Sequence, residues 1–140
     1  SDAPVRIMIV VDGSDSTDHV AQAVAERIWP AGSEATIVVL RRNGPRDPVR
    51  DSETTLKLQR VADKLRAIGL EVTGAIIDGQ PEDVLLNQAR DVSADCIFID
   101  SGDGLDRSGL CRIAQALVLG AHCSVEVLRT STDQSFKAAA

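Results

Sequence analysis

The stretch IVVDGSDSTDHV, residues 9–20, decides how the chain is read. With the residues before it, it gives VRIMIVV over 5–11, an apolar and β-branched run bounded by Pro4 and Asp12. A run without polar alternation is a strand covered on both faces. Small polar residues then lead into a helix predicted over 17–29, with Val20, Val24 and Ile28 on one stripe and Ala21 and Ala25 beside it. Ser16 or Thr17 can cap its free amides, and WPAG ends it. Asp12 sits where a buried strand gives way to this helix. It is a ligand-facing carboxylate, a catalytic one or a turn residue.

The same alternation runs along the rest of the chain. ATIVVL (35–40) is a second strand. Residues 41–51 hold Pro45, Pro48 and Gly44 and are expected to be a non-helical loop carrying Arg41, Arg42, Arg46 and Arg50. The next helix has Leu58, Val61, Leu65 and Ile68 as its stripe and Gly69 as its cap. LEVTGAIID (70–78) is the third strand. Pro81 suits the first turn of a helix over 81–93. DCIFID (95–100) is the fourth strand, 101–107 a polar, glycine-bearing loop, and 108–121 a helix with Leu110, Ile113, Leu117 and Ala121 on one face. CSVEVLR (123–129) is the fifth strand, and 130–140 is a tail with few core residues. Strand and helix in alternation demand right-handed crossovers. The expected fold class is therefore α/β: a doubly wound, five-stranded, mostly parallel sheet with helices on both faces, Rossmann-like. One domain over 1–140 is expected, with its core at about 5–129.

Composition narrows the function classes. Of 140 residues 44% are hydrophobic, but only 2% are aromatic, so a base-stacking surface for single-stranded nucleic acid is not expected. A net charge of −6 repels polyanions. Cys96, Cys111 and Cys123 are scattered and odd in number, which argues against a disulfide framework or zinc site and for reduced thiols in the cytoplasm. No membrane segment or signal pattern is expected. His19 and His122 have no partner nearby in sequence and read as solvated or packed. Ser14 and Ser16 lack a nucleophile elbow, so no catalytic residue is assigned.

In a doubly wound sheet ligands bind outside the carboxyl ends of the strands. Asp12 and Gly13, Leu40 and Arg41, Asp78, and Asp100 to Gly104 arrive there. Glycines in DSGDG (100–104) allow backbone amides to approach a phosphate, and the following helix start favours an anion. Asp100, Asp103 and Asp106 crowd the same loop and repel a triphosphate unless a metal or arginine intervenes. A plain turn is the alternative.

RIMIVVDGSDST, IIDGQPEDVLLNQARDVSADCIFID and IAQALVLGAHCSVEVLR, in this order, resemble the universal stress protein family over about residues 5–129. The resemblance implies the adenine nucleotide alpha hydrolase-like form of the fold and a homodimer through the fifth strand, 123–129. Some family members bind ATP and others do not. In binders the aspartate at Asp12's position contacts adenosine, backbone near the second strand flanks adenine, and a spaced glycine motif ending in Gly-Ser or Gly-Thr holds the phosphates. The candidate contacts are therefore Asp12, Gly13, Ser14, Leu40, Arg41, Ser101, Gly102, Gly104 and Arg112.

This chain departs from the phosphate motif. Leu105 stands where a glycine is expected, and Cys111 and Arg112 replace the Gly-Ser or Gly-Thr pair. The expectation is a non-enzymatic stress-response module with a degenerate nucleotide pocket and no cofactor; ATP with magnesium is the alternative. Asp12 then either faces that pocket or only caps the first helix. No nucleic acid and no membrane partner is expected.

Two rivals share the alternating pattern. A phosphotransfer receiver would use Asp12, Asp15, Asp78 and Ser101, but it needs a lysine after the fifth strand, where Arg129 stands. An ATP pyrophosphatase has S-G-G-x-D-S in its first loop. VDGSDS (11–16) matches at Gly13, Asp15 and Ser16 but not at Val11 and Asp12.

Overall fold

The computed structural model describes residues 3–11, 16–41, 48–78, 82–100 and 110–128. Strands β1 (Arg6–Val11), β2 (Glu34–Arg41), β3 (Glu71–Asp78), β4 (Cys96–Asp100) and β5 (Ser124–Leu128) alternate with helices α1 (Ser16–Ala25), α2 (Pro48–Ala67), α3 (Glu82–Asp91) and α4 (Leu110–Gly120). All four strand pairings are parallel, and the order across the sheet is β3-β2-β1-β4-β5. This is the doubly wound α/β sheet expected from the sequence.

Each strand alternates its side chains between two cores. Ile7, Ile9 and Val11 of β1 point to the face that packs Val20 and Val24 of α1 and Val61 and Leu65 of α2. Met8 and Val10 point to the other face, against Leu85 of α3 and Ile113 and Leu117 of α4. The central strand is thus apolar along its length because both of its faces are roofed. Burying such a side chain contributes about 1.5–3 kcal/mol, so β1 anchors both halves of the molecule.

The strand order excludes the receiver reading. Receivers have the order 2-1-3-4-5, which puts the third strand against the first. Here β4 takes that place, with Ile7 opposite Cys96 and Val10 opposite Ile99, and among the described residues β3 pairs with β2 alone. Asp78 ends two strands away from β1 and cannot share an acidic pocket with Asp12 by sheet neighbourhood.

Two helix boundaries differ from the sequence reading. The first helix stops at Ala25, not at Trp29. The Trp29 Nε1–H donates to the Val24 carbonyl at 2.9 Å, satisfying a free end of the helix. Its ring meets Phe98 edge-on at 6.1 Å between centroids, and Ile28, expected on the buried stripe, is left 98% exposed. The second helix starts earlier than expected, at Pro48. A proline lacks an N–H where the first turn has no partner for one, so it opens this helix instead of breaking it. At the other end, Leu70 N–H bonds to Leu65 O and Gly69 N–H to Arg66 O, with Gly69 at φ 99°. That is the left-handed cap anticipated at Gly69.

Candidate functional site

The carboxyl ends of all five strands lie on one rim because every pairing is parallel. From edge to edge the strands end at Asp78, Arg41, Val11, Asp100 and Leu128. The chain leaves β1 toward α1 on one face and leaves β4 toward α4 on the opposite face. Between these two adjacent strands the winding changes direction, so the crevice lies at β1 and β4. The first turns of α1 and α4 open on this rim from opposite sides of the sheet. Their unpaired amides and dipoles favour an anion there.

The proposed contacts divide into those that the structure positions and those outside the described residues. Asp12, Gly13, Ser14, Ser101, Gly102 and Gly104 lie outside them. Their flanks are set: Val11 and Asp100 end neighbouring parallel strands, so the segments that follow leave the same rim side by side. Leu40 is buried in the core on the α3–α4 face, so only its backbone, in register with Ile77, can border a ligand. Arg41 ends β2 opposite Asp78. Arg112 is the third residue of α4, and Cys111 the second, so both belong to the turn that opens on the crevice.

One residue of this region escaped the sequence reading. Thr17, considered there as a cap, is 2% exposed, and its Oγ1 has no hydrogen-bond partner among the described residues. A buried unpaired hydroxyl costs about 1–3 kcal/mol. The only sequence signal was a hydroxyl residue at the helix start, which reads equally as a cap.

The described thiols lie at the other rim. Cys96 begins β4 and Cys123 precedes β5. Burial, followed by the charge of Glu126, pushes the Cys96 thiol up to about 11, and burial then Asp95 raise Cys123. Neither is poised as a thiolate nucleophile. Among the described residues no group of three or more His, Cys, Asp or Glu side chains converges to hold a metal ion. No helix among them is long and apolar enough to cross a membrane. His122, partnerless in sequence, has Arg90 at 3.4 Å from its Nε2. Glu126, an acid in an apolar strand, pairs with Arg27 of the same chain.

The chain was compared with known proteins. The model of the family described as "Universal stress protein family" matches residues 5–129. No curated protein sequence matches the chain. Among solved structures, a universal stress protein family protein from Arabidopsis thaliana with AMP bound is similar, with 20% identity and a TM-score of 0.62, over 94% of this chain and 95% of the other. A universal stress protein from Archaeoglobus fulgidus in complex with dAMP is similar at 20% identity and a TM-score of 0.61, over 89% and 97%. A universal stress protein in complex with cAMP is similar at 23% identity and a TM-score of 0.60, over 93% and 100%.

Proposed function

The chain belongs to the universal stress protein family, and from that premise we propose that it is a non-catalytic stress-response module of the cytoplasm whose nucleotide pocket has lost its grip on ATP. One domain spans the chain, with its core at 5–129. The observation that carries this reading is the position of Cys111 and Arg112 in the first turn of α4. That turn borders the crevice where a family phosphate site would offer a glycine and a hydroxyl. A cysteine at this position would take space that a glycine leaves for a phosphate, and the sequence offers no hydroxyl there. Asp100, Asp103 and Asp106, close together in the sequence after β4, would add like charge toward a triphosphate.

The adenosine half is better provided for. Asp12, Gly13 and Ser14 follow β1, and the backbone of Leu40 and Arg41 borders the rim beside it. Ser101, Gly102, Gly104 and Arg112 would line the phosphate side. The AMP, dAMP and cAMP complexes of similar proteins favour a second reading, in which a monophosphate, needing fewer phosphate contacts, is accepted where ATP is not.

Isothermal titration with ATP, ADP and AMP, with and without magnesium, tests both readings. Silence for all three supports the nucleotide-free module, and heat for AMP alone supports the monophosphate reading. ATP binding with a Kd on the order of 1 μM or below would sink the proposal.

We further propose a homodimer through β5. This strand pairs with β4 alone among the described residues, and Val127 on it is 40% exposed, as are Val118 and Leu119 on the adjoining α4 to a greater degree. An open apolar edge needs a cover. Sedimentation at micromolar concentration should show a dimer, and Val127→Lys should shift it to monomer. A wild-type monomer removes the idea.

A further inference from the structure

A second concavity lies on the rim opposite the crevice, where α3 and α4 end and β5 begins. It encloses about 190 Å3. Its buried and half-buried lining includes Leu86, Ala89, Ala121 and Cys123, and the exposed Arg90 and His122 stand at its mouth. The space exists because the two helix ends meet through small side chains. Gly120 lets Leu86 close in, since a Cβ there would sit 3.0 Å from Leu86 Cδ1. Ser93, at φ 55°, turns the chain from α3 toward β4 and keeps the floor shallow.

Arg90 supplies the positive charge at this groove. Arg90 Nη2 lies 3.4 Å from His122 Nε2, an arrangement in which the guanidinium donates to the imidazole. Among the described residues no acidic side chain lines the groove and Arg90 forms no ion pair, although the charge of Asp95 reaches Cys123. Asp95 Oδ2 accepts from the Arg6 backbone N–H at 2.9 Å, which ties that carboxylate to β1. The Arg90 guanidinium thus stands at the mouth with no ion pair among the described residues, in a chain of net charge −6. Burial, followed by the charge of Asp95, keeps the Cys123 thiol neutral, so Cys123 itself adds no negative charge to the wall.

We propose that this groove binds a small monocarboxylic acid with an apolar body, its carboxylate on Arg90 and His122 and its body on the Leu86–Ala89–Ala121 floor. A guanidinium pairs with a carboxylate through two parallel hydrogen bonds, which fixes the head. A cavity of about 150 Å3 is enough to hold benzene, so the body is a single ring or a short chain. The site is independent of the nucleotide crevice, which lies at the far ends of the same strands.

The test is an amide NMR titration of the full chain with sodium benzoate, sodium hexanoate and, as the neutral counterpart of benzoate, benzyl alcohol. Saturable shifts centred on residues 86–94 and 120–124 are expected, with a Kd on the order of 1 mM or below. Benzyl alcohol should bind roughly tenfold more weakly than benzoate, and Arg90→Gln should weaken benzoate by roughly the same factor. Ala121→Leu, which fills the floor, should abolish binding while the unligated spectrum stays folded. Absence of saturable shifts by about 10 mM would overturn the proposal. So would equal binding by Arg90→Gln, or by the alcohol and the acid.

Discussion

Arg27 joins the end of α1 to the edge of the sheet by pairing with Glu126 of β5. Its guanidinium carbon also lies 4.9 Å from the centroid of the Phe98 ring, so one side chain meets a carboxylate and an aromatic face together. Phe98 and Glu126 are register partners on β4 and β5, which places both on the α1 face of the sheet.

Loss of Arg27 should therefore cost more than loss of the charge on Glu126. Both side chains are partly solvated, at 46% and 38% exposure, which limits the ion pair itself to about 0–1 kcal/mol. The cation over the ring adds about 0.5–1 kcal/mol. Urea unfolding should place Arg27→Ala about 0.5–2 kcal/mol below the wild type and Glu126→Gln within about 1 kcal/mol of it. A larger loss for Glu126→Gln would mean that the charge pair, not the ring contact, dominates.

Alkaline conditions should weaken the fold through Cys96. Its folded value is raised from 9.0 to about 11, mainly by burial. The neutral thiol therefore favours the folded state fully below pH 9, and this contribution is lost as pH rises from 9 through about 11. Cys123 is shifted the same way and adds to the slope. The chain has no tyrosine to mask the effect. Stability measured across this window should fall less steeply in Cys96→Ala than in the wild type; identical slopes would refute the assignment.

Ser93 holds a left-handed backbone, φ 55°, at the end of α3, where Ala94 N–H bonds to Ala89 O and Ser93 N–H to Arg90 O. Gly69 occupies the same position after α2. A serine carries a Cβ penalty there that glycine does not. Ser93→Gly should raise stability by about 0.5–1 kcal/mol in thermal or urea unfolding, and a net loss would show that the serine side chain is needed.

Thr17→Val keeps the shape of the buried side chain and removes the unpaired Oγ1. The substitution should be neutral or stabilising by up to about 1 kcal/mol. A loss of about 1 kcal/mol or more would show the hydroxyl to be bonded at the crevice in solution.

What the sequence made legible follows from the physics of each segment. β1 and β4 are apolar runs because both of their faces are roofed, and such runs need no context to be recognised. The end of α1 was not legible, because Val20, Val24 and Ile28 keep helical spacing past the point where Trp29 caps Val24 and folds onto Phe98. That contact comes from a strand 69 positions along, which no local pattern carries. The start of α2 was hidden by the two prolines of the arginine segment, since proline opens a helix as readily as it ends one. Alternation alone also leaves the strand order open, and only the pairing of β1 with β4 separates this sheet from a receiver. The rim at which β1 and β4 end was foreseeable once the strands were parallel. The opposite groove was not, because it is made of small residues from two helix ends that are remote in sequence.

The placement of β1 between β2 and β4 also orders events during synthesis. Of these five strands β1 is made first and can gain β2 on one edge early, but its other edge waits for residues 96–100. Until then Met8, Val10, Val38 and Leu40 lack the cover of α4, whose Ile113 and Leu117 arrive later still. Until residues 110–120 emerge, the nascent domain thus carries an apolar sheet face without its α4 cover, the kind of surface that draws chaperones and makes truncated products prone to aggregate.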